Sequence, residues 1–310
     1  WRRAGAMAEW LLADIGASHT RLALATAEGV RRGTAQRLDN AAFAGPEALM
    51  AAYLGDTRVT AICAGVAGPV RGGAAQLTNR DWHIDAGALT RLTGAARVRL
   101  MNDLQAQAMA LDDLDPAHLT PILPGTPDPD GPRMVLGLGT GSNIAVAHRV
   151  GGRLFVPPAE AGHSGLPHLD EATNDVIAAL GREIAHKPYE ALLSGPGLER
   201  LHRLRSGEIR EAAAIVAAAA DGSAARATLA LFVQVLGAVA GNLALVHMAT
   251  GGVFLIGGVA RAVAPYLAEM GFAESFYARG PYRGIMQAVP VTLVTDDTAA
   301  LLGCWRALTQ

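Results

Sequence analysis

The first third of the chain alternates short apolar runs with small-residue turns, a pattern typical of a sheet. Residues 10–15 form a largely apolar run, residues 16–19 are small or polar, and residues 20–25 alternate between apolar and polar positions. Runs of this length between small residues predict two strands joined by a tight turn. The same criteria predict strands at 30–38, 59–66 and 97–101, and helices at 46–54, 85–92 and 104–111.

A second strand–turn–strand pattern occupies residues 134–147 and resembles the pattern at 11–25. Both segments consist of an apolar strand, a turn of small residues and a strand of alternating polarity. Two related halves of one fold would show this similarity. The rest of the C-terminal half is mostly helical, with strands at 253–256 and 290–295, which indicates a mixed α/β fold. The helices predicted there are 169–184, 196–204, 207–219, 223–250, 259–269 and 297–308.

Residues 227–260 contain no charged side chain and are long enough to include a transmembrane helix. Gln234, Asn242 and His247 interrupt the apolar pattern, and the glycines at 251–252 end the helix. A helix buried in the core of a large domain is apolar on all sides as well. We therefore expect a core helix here and no contact with a membrane.

Composition narrows the function classes. The chain has 310 residues, of which 51% are hydrophobic and 17% charged, which excludes a disordered protein and suggests two domains. The net charge of −2 gives no basic excess, so we expect no nucleic-acid partner. Lys187 is the only lysine and is followed by Pro188, so a P-loop is excluded.

Cysteine usage and the terminal segment indicate a cytoplasmic protein. Cys63 and Cys304 are far apart along the chain and form no CxxC motif, so no structural zinc site is expected. Residues 1–7 are too short and too polar for a signal peptide, and we interpret them as an N-terminal extension. The Asp- and Pro-rich residues 112–132 predict a loop at a domain boundary.

The two glycine-containing turns, at 14–20 and 137–143, are candidate phosphate sites. Small residues let backbone N–H groups approach an anion, and successive N–H groups form an anion-binding concavity. Asp14 ends a predicted strand, where one carboxylate could hold a hydrated Mg²⁺ together with phosphates. Ordinary hairpin turns have the same composition, so the turns alone do not decide the function.

Three other groups of residues suggest binding or catalysis. Asn102 and Asp103 end a predicted strand, where a carboxylate could act as a general base, although Asn and Asp are also favoured helix N-caps. Glu160, His163 and Glu190 could bind the hydroxyls of a polyol, or could be surface polar residues. The glycines at 257–258 could lie against an adenine ring, or could form a tight strand-to-helix turn.

Taken together and in this order, these segments resemble the bacterial ATP-dependent glucokinase family, within the actin/hexokinase/Hsp70-like superfamily. The resemblance covers nearly the whole chain from about residue 10. The matching segments are 12–16 with 21–24, 64–69, 77–82, 102–103, 139–141, 160–163, 193–198, 252–258 and 291–297 before 301–303.

The resemblance implies an α/β protein with the two-domain, actin-like ATPase (ribonuclease H-like) fold and an interdomain cleft. It implies a small α/β domain at 8–112 plus 296–310 and a large α/β domain at 113–295, after the extension at 1–7. The implied activity is ATP-dependent phosphorylation of glucose at the 6-hydroxyl, with ATP and Mg²⁺ as cofactors. A cytoplasmic homodimer, with no nucleic-acid or membrane partner, is expected.

The resemblance also assigns roles to single residues. Asp103 is the expected general base, and the other expected sugar ligands are Asn79, Asn102, Glu160, His163 and Glu190. Asp14 is the expected metal ligand. The expected nucleotide-binding residues are Asp14, Gly16, Ala17, Ser18, His19, Thr20, Gly139, Thr140, Gly141, Gly257 and Gly258.

The chain departs from the family pattern at both turns. The first family loop reads Asp-x-Gly-Gly-Thr-Asn, whereas this chain has Ala17, Ser18 and His19 after Gly16. We expect Ala17 to place a Cβ where a left-handed glycine is wanted, which would weaken ATP use more than sugar binding. A kinase for another hexose, or a sugar-binding protein with weak or no kinase activity, are the alternatives.

The second family loop has a glycine where Asn143 stands here. Asn tolerates the left-handed region better than most residues, so we expect Asn143 to replace that glycine. The family's Gly-Glu-Gly-Gly-His segment also differs here, because Ala159 replaces its first glycine and Ala161 replaces its second.

Overall fold

The computed structural model describes residues 9–221 and 224–310, and within them it contains fifteen strands and eleven α-helices. The strands are β1 (Trp10–Ile15), β2 (His19–Thr26), β3 (Gly29–Val30), β4 (Gln36–Asp39), β5 (Ala61–Val66), β6 (Val70–Arg71), β7 (Ala74–Gln76), β8 (His83–Asp85), β9 (Arg97–Asn102), β10 (Leu119–Leu123), β11 (Arg133–Leu138), β12 (Ser142–Val150), β13 (Arg153–Phe155), β14 (Gly252–Ile256) and β15 (Val291–Val294).

The helices are α1 (Pro46–Leu54), α2 (Ala86–Thr93), α3 (Asp103–Met109), α4 (Glu171–Leu180), α5 (Gly195–Ser206), α6 (Ala212–Ala218), α7 (Ala224–Val246), α8 (Gly258–Val263), α9 (Phe272–Tyr277), α10 (Arg283–Ala288) and α11 (Ala299–Thr309). They divide between two compact units. The first unit runs to Leu114 and takes in Asp296–Gln310, and the second is Asp115–Thr295.

The first unit contains a mixed sheet with strand order β3-β2-β1-β5-β9, and β4 pairs with the other part of β2. Strands β1 and β2 form an antiparallel hairpin, while β5 and β9 continue the sheet in parallel with β1. Ile15 is in register with Val66, and Val66 with Asn102. The carboxyl ends of the three parallel strands therefore meet at one edge of this sheet.

The second unit repeats this arrangement. Its sheet has the order β10-β15-β14-β11-β12-β13, in which β11 and β12 form the antiparallel hairpin. Strands β14 and β15 continue it in parallel with β11, as β5 and β9 do in the first unit. Gly137 is in register with Asn143 on one side and with Ile256 on the other. The turn after β11 and the end of β14 thus share one edge.

Helix α7 is the apolar segment that raised the question of a membrane span. It is long and apolar enough to cross a membrane, but 67% of its most apolar window is buried inside the protein. Its closest approach is to α9, where a Cβ on Gly237 would lie 2.5 Å from the carbonyl oxygen of Phe272, and one on Gly241 equally close to that of Phe276. The helix lies in the core of the second unit, as its pattern indicated.

Several elements differ from the sequence prediction. The predicted strand at 30–38 is interrupted by a 3₁₀ turn at Arg32–Thr34, which contains Gly33. The predicted helix at 259–269 stops at Val263, and Pro265 lies in the 3₁₀ turn that follows because proline has no N–H for the helical hydrogen bond. The strands of the small β6-β7-β8 sheet have two or three residues each, too few for a periodic pattern.

The two cysteines, far apart along the chain, lie together in the first unit. Cys63 on β5 and Cys304 on α11 are both free and fully buried. The hydrogen bond with the Cys63 thiol and burial raise the pKa of Cys304, so this thiol stays protonated. The pair belongs to the interface between the sheet and α11.

Candidate active site

In the first unit, Asp14 lies next to the last residue of β1 and faces its cross-strand neighbour Arg21. Its Oδ2 atom is 3.3 Å from Arg21 Nη1. Burial raises the pKa of Asp14, and Arg21 opposes this effect. The described residues contain no cluster of three or more His, Cys, Asp or Glu that could hold a metal. A single carboxylate suits a Mg²⁺ ion that takes its remaining ligands from phosphates and water.

The turn after Asp14 is hydrogen-bonded to Asn40, which is fully buried. Asn40 Nδ2 donates to the carbonyl oxygens of Gly16 at 2.8 Å and Ala17 at 3.2 Å, and Asn40 N donates to Ser18 O at 2.9 Å. Thr20 Oγ1 donates to Asn40 Oδ1 at 2.8 Å. Sequence reasoning did not identify Asn40 as a functional residue.

The expected strain at Ala17 is absent. Among the described residues, Lys187 and Met248 are the only non-glycine residues with positive φ. The expectation that Ala17 occupies a left-handed glycine position is therefore wrong, and the same holds for Asn143, which lies in β12. The turn accepts a Cβ at position 17 without backbone strain.

Asn102 and Asp103 lie where β9 ends and α3 begins. Asn102 caps the helix: its Oδ1 accepts the Leu104 N–H at 3.0 Å, and Gln105 Oε1 accepts the Asn102 N–H at 3.0 Å. Asn102 Nδ2 donates to Gly68 O at 3.3 Å. Asp103 is the first helical residue and is partly buried, with Oδ1 2.9 Å from Leu104 N. The cap is thus a structural role of Asn102, and Asp103 stands beside it at the sheet edge.

Asn79 lies in the exposed turn between β7 and β8. The next residue, Arg80, connects this turn to the one after Asp14. Arg80 Nη2 donates to Asn40 O at 2.8 Å, and its guanidinium lies 4.5 Å from the centre of the Trp82 ring. Arg80, like Asn40, was not predicted as a site residue.

In the second unit, Glu190 is bonded to the start of β12. Its Oε2 atom accepts the Ser142 N–H at 2.8 Å. A Cβ on Gly141 would lie 2.7 Å from the same oxygen, so the carboxylate rests against the turn at 139–141. Tyr189 precedes it, and burial raises the pKa of that phenol, which stays neutral. Glu190 therefore touches the predicted phosphate turn directly.

Glu160 is held by the next residue of the same strand. Asn143 Nδ2 donates to Glu160 Oε2 at 3.0 Å and to Ala159 O at 2.7 Å. A Cβ on Gly162 would lie 1.9 Å from Ser142 O, so only glycine lets this loop pack so closely against β12. His163 closes the loop, and its ring centre lies 6.4 Å from that of His186. The structure thus brings Glu160, His163 and Glu190 to the start of β12.

Three glycine segments meet beside the turn at 139–141. Gly195 N, at the start of α5, donates to Gly139 O at 2.8 Å. Gly257 has φ +105°, and a Cβ there would lie 2.3 Å from Leu138 O. A Cβ on Gly195 would lie 3.7 Å from Val259 Cγ2. The segments that begin at Gly139, Gly195 and Gly257 therefore form one backbone-rich surface.

Comparison with known proteins decides the family. The chain matches the family model described as Glucokinase over residues 11–310. It belongs to the glucokinase family. A glucokinase of Saccharophagus degradans is 33% identical over 98% of this chain and 99% of the relative. A glucokinase of Photorhabdus laumondii subsp. laumondii is 30% identical over 97% of both chains.

Solved structures agree with the fold of a glucokinase-family protein. The crystal structure of a glucokinase from an Antarctic psychrotroph has a TM-score of 0.88 at 30% identity and covers 98% of this chain and 99% of its own. A ROK hexokinase from Thermus thermophilus, at 21% identity, has a TM-score of 0.69 over 97% of this chain and 98% of its own, and shows the fold alone. The predicted family and the predicted α/β actin-like ATPase fold are confirmed.

Within this glucokinase-family chain, sequence reasoning missed the residues that hold the site together. Asn40, Arg80 and Asn143 all act on backbone or side chains far away along the chain. The signal that could have identified Asn143 is its position, since the family's usual glycine is absent there. The sequence contains no comparable signal for Asn40. This residue follows β4, and the pattern predicted one strand over 30–38 where the chain forms β3 and β4.

Proposed function

We propose that the protein transfers the γ-phosphoryl group of ATP to the 6-hydroxyl of glucose, giving glucose 6-phosphate and ADP. The observation that carries the proposal is the position of Asp103, at the same sheet edge as Asp14 and the turn that follows it. Membership of the glucokinase family supports the reaction type.

Asp103 is the general base in this proposal. Its carboxylate accepts the proton of the 6-hydroxyl while that oxygen forms a bond to the γ-phosphorus. The bond between this phosphorus and the β–γ bridging oxygen breaks, and ADP leaves with the electron pair. Because phosphoryl transfer depends mostly on positioning and charge stabilisation, the fixed start of α3 serves the base well.

The remaining sugar hydroxyls are assigned to Glu160, His163 and Glu190, with Asn79 and Asn102 as further ligands. Glu160 and Glu190 each use one carboxylate oxygen for the bonds from β12, which leaves the other oxygen for a sugar hydroxyl. A site built from fixed polar groups rejects a sugar that lacks one hydroxyl, because its groups are then left unpaired. This is the basis on which we expect hexose selectivity.

ATP is assigned to the two turns and to the glycines at 257–258. The N–H groups of Gly16 and Gly139 donate within their own turns, to His19 O and Gly141 O. The backbone N–H groups at 17–19 and 140–141 bind the phosphates, and the glycines at 257–258 take the adenosine. Asp14 is the residue that would hold Mg²⁺, which supplies neutralisation of phosphate charge when bound. The proposal assigns both sets of residues to one ATP and one hexose.

The test is ADP release in a coupled assay with glucose, mannose, fructose and an N-acetyl sugar as acceptors. We expect glucose to give the highest kcat/KM. Higher kcat/KM with another sugar would make the protein a kinase for that hexose. Thermal stabilisation by a sugar without ADP release would instead identify a sugar-binding protein.

We also expect a homodimer in the cytoplasm. Light scattering on the purified protein, at concentrations bracketing the micromolar range, measures the mass directly against the 32.0 kDa of one chain. A mass of one chain throughout would contradict the dimer and leave the activity untouched.

A further inference from the structure

Three consecutive carbonyl groups in the turn after Asp14 all point to one residue. The oxygens of Gly16 and Ala17 accept hydrogen bonds from the Asn40 side chain, and that of Ser18 accepts one from the Asn40 backbone N–H. The side chain and backbone of Asn40 thus bind three successive carbonyl groups, and Arg80 Nη1 adds a longer bond of 3.5 Å to Ala17 O. In the described part of the second unit, the turn at 139–141 has no corresponding asparagine.

Because the peptide bond is planar, these hydrogen bonds also determine where the N–H groups of the turn point. In a planar trans peptide, the carbonyl of one residue and the N–H of the next point to opposite sides. When the three carbonyls face Asn40, the N–H groups of Ala17, Ser18 and His19 are turned away from it. Successive N–H groups that face one side form the concavity that binds anions.

The Asn40 side chain can adopt no other orientation without losing bonds. Both hydrogens of its amide are used by the turn, and its oxygen accepts the hydroxyl of Thr20 at 2.8 Å. Arg80 adds a bond to the Asn40 carbonyl at 2.8 Å. Asn40 is fully buried, so water cannot replace these bonds.

We propose that Asn40 is a positioning residue for the triphosphate: it holds the turn at 16–19 so that its amides face the phosphates. This inference rests on the proposed function. This role of Asn40 explains why the turn does not need the second glycine of the family loop, where this chain has Ala17. The turn is shaped through its carbonyls, so the side chains at Ala17, Ser18 and His19 are free to differ.

The deciding variant is Asn40→Asp, which keeps the size and the oxygen that accepts Thr20 but replaces the donating amide by an oxygen. The carbonyls of Gly16 and Ala17 then face a second acceptor, and the peptides turn. We expect the Kd for Mg·ATP, measured by calorimetry, and the KM for ATP to rise by about tenfold or more. We expect the KM for glucose to stay within about twofold of the wild-type value, since this variant changes the turn alone.

Thr26→Val is the matched control, because Thr26 is a buried polar residue at the other end of the same strand β2. It loses the bond from the Glu28 N–H to its hydroxyl and touches no part of the turn. Its Kd for Mg·ATP should equal that of the wild type, even if its Tm falls. If Thr26→Val loses as much ATP affinity as Asn40→Asp, general destabilisation explains the effect of Asn40→Asp, and the inference is overturned.

Arg80→Gln keeps the test decisive if Asn40→Asp does not fold, because it leaves Asn40 in place and removes the bonds from Arg80 to Asn40 O and to Ala17 O. We expect a selective rise of several-fold in the Kd for Mg·ATP. A folded Asn40→Asp or Arg80→Gln protein with wild-type ATP affinity would refute the positioning role. If the wild-type protein binds Mg·ATP but releases no ADP with any sugar, the proposed function fails and the calorimetric comparison of the variants still stands.

Discussion

The two units contain the same hairpin, but they anchor its turn in opposite ways. In the first unit, β1 and β2 enclose a turn whose carbonyls are bound by the buried, neutral Asn40. In the second unit, β11 and β12 enclose a turn whose following N–H, that of Ser142, is bound by the carboxylate of Glu190. The side chain that holds the first turn is an uncharged donor in the core. The side chain that holds the second is a carboxylate acceptor, which acts beside the bond from Gly195 N to Gly139 O.

This difference teaches that one strand arrangement can hold its turn by two kinds of side chain. We propose that both turns bind phosphate. The first turn is held by Asn40, which we do not assign to the sugar. We therefore expect the conformation of this turn not to depend on sugar binding. The second turn is fixed by a residue that we also assign to the sugar, so its order should depend on whether the sugar is bound. We therefore expect glucose to tighten ATP binding through the second turn alone.

The largest effect is expected for Asp103→Asn, which removes the proposed base and leaves both turns unchanged. We expect kcat to fall by about 100- to 10,000-fold, the usual contribution of a general base. The KM for glucose and the Kd for Mg·ATP should change little, which steady-state kinetics and calorimetry measure. A variant with normal kcat would show that Asp103 is not the base.

The sharpest test of the comparison is Glu190→Ala, which removes the carboxylate bonded to the second turn together with a proposed sugar ligand. We expect the KM for glucose and the KM for ATP both to rise by about tenfold or more. Asn40→Asp should raise only the KM for ATP. If Glu190→Ala leaves the KM for ATP unchanged, the second turn does not depend on this carboxylate and the two anchors are not different in kind.

Glu190→Gln refines the same test, because its amide oxygen can still accept the Ser142 N–H. We expect the KM for ATP of this variant to lie close to the wild-type value while the KM for glucose stays raised. A KM for ATP as high as that of Glu190→Ala would indicate that the charge, rather than the hydrogen bond, holds the turn.

A smaller effect is expected for Asn143→Gly, which restores the residue usual in the family. The change removes the bonds from Asn143 to Glu160 Oε2 at 3.0 Å and to Ala159 O at 2.7 Å. We expect the KM for glucose to rise by about threefold to tenfold. In a Glu160→Ala background the same substitution should raise the KM for glucose less, because of these two bonds only the one to Ala159 O is left to lose. Equal effects in both backgrounds would show that Asn143 acts on something other than Glu160.

The smallest effect concerns stability. Burial raises the pKa of Asp14 above its ordinary value of 3.8, so the folded protein binds a proton there more readily than the unfolded chain. The buried charge costs stability at neutral pH. This cost decreases as pH falls through the raised pKa and is gone below the unfolded value of 3.8. We expect Asp14→Asn to raise Tm by roughly 2 °C at pH 7 and to match the wild type at low pH. A lower Tm at pH 7 would mean that the pairing with Arg21 outweighs burial.

The parts of the site that the sequence predicted are local in the chain. Asn102 and Asp103 could be recognised because a strand end, a cap and a helix follow each other within a few residues. The roles assigned to them remain predictions. The expectation of left-handed backbone at Ala17 was wrong because a residue pattern does not reveal φ. Here the turn is hydrogen-bonded to Asn40, which is 23 residues from Ala17 along the chain.

The parts that could not be predicted depend on distant contacts. Asn40 reaches the turn at Gly16 because β4 pairs with β2, and the sequence suggested one strand over 30–38 where the chain forms two. Ser142 and Glu190 are separated by 48 residues, and only the folded second unit places them together. Pairings of this kind are set by the tertiary structure, which no short window of sequence contains.

The first unit is built from both ends of the described chain, and this has a consequence during synthesis. Helix α11 packs so closely on α3 that a Cβ on Gly303 would lie 1.6 Å from Ala106 O, and Arg97 donates to Leu308 O at 2.7 Å. Residues 115–295 emerge from the ribosome before this helix does, so the second unit can complete its core first. The edge carrying Asp103 gains its final support only afterwards. A nascent chain would therefore position the proposed sugar carboxylates of the second unit before the proposed base.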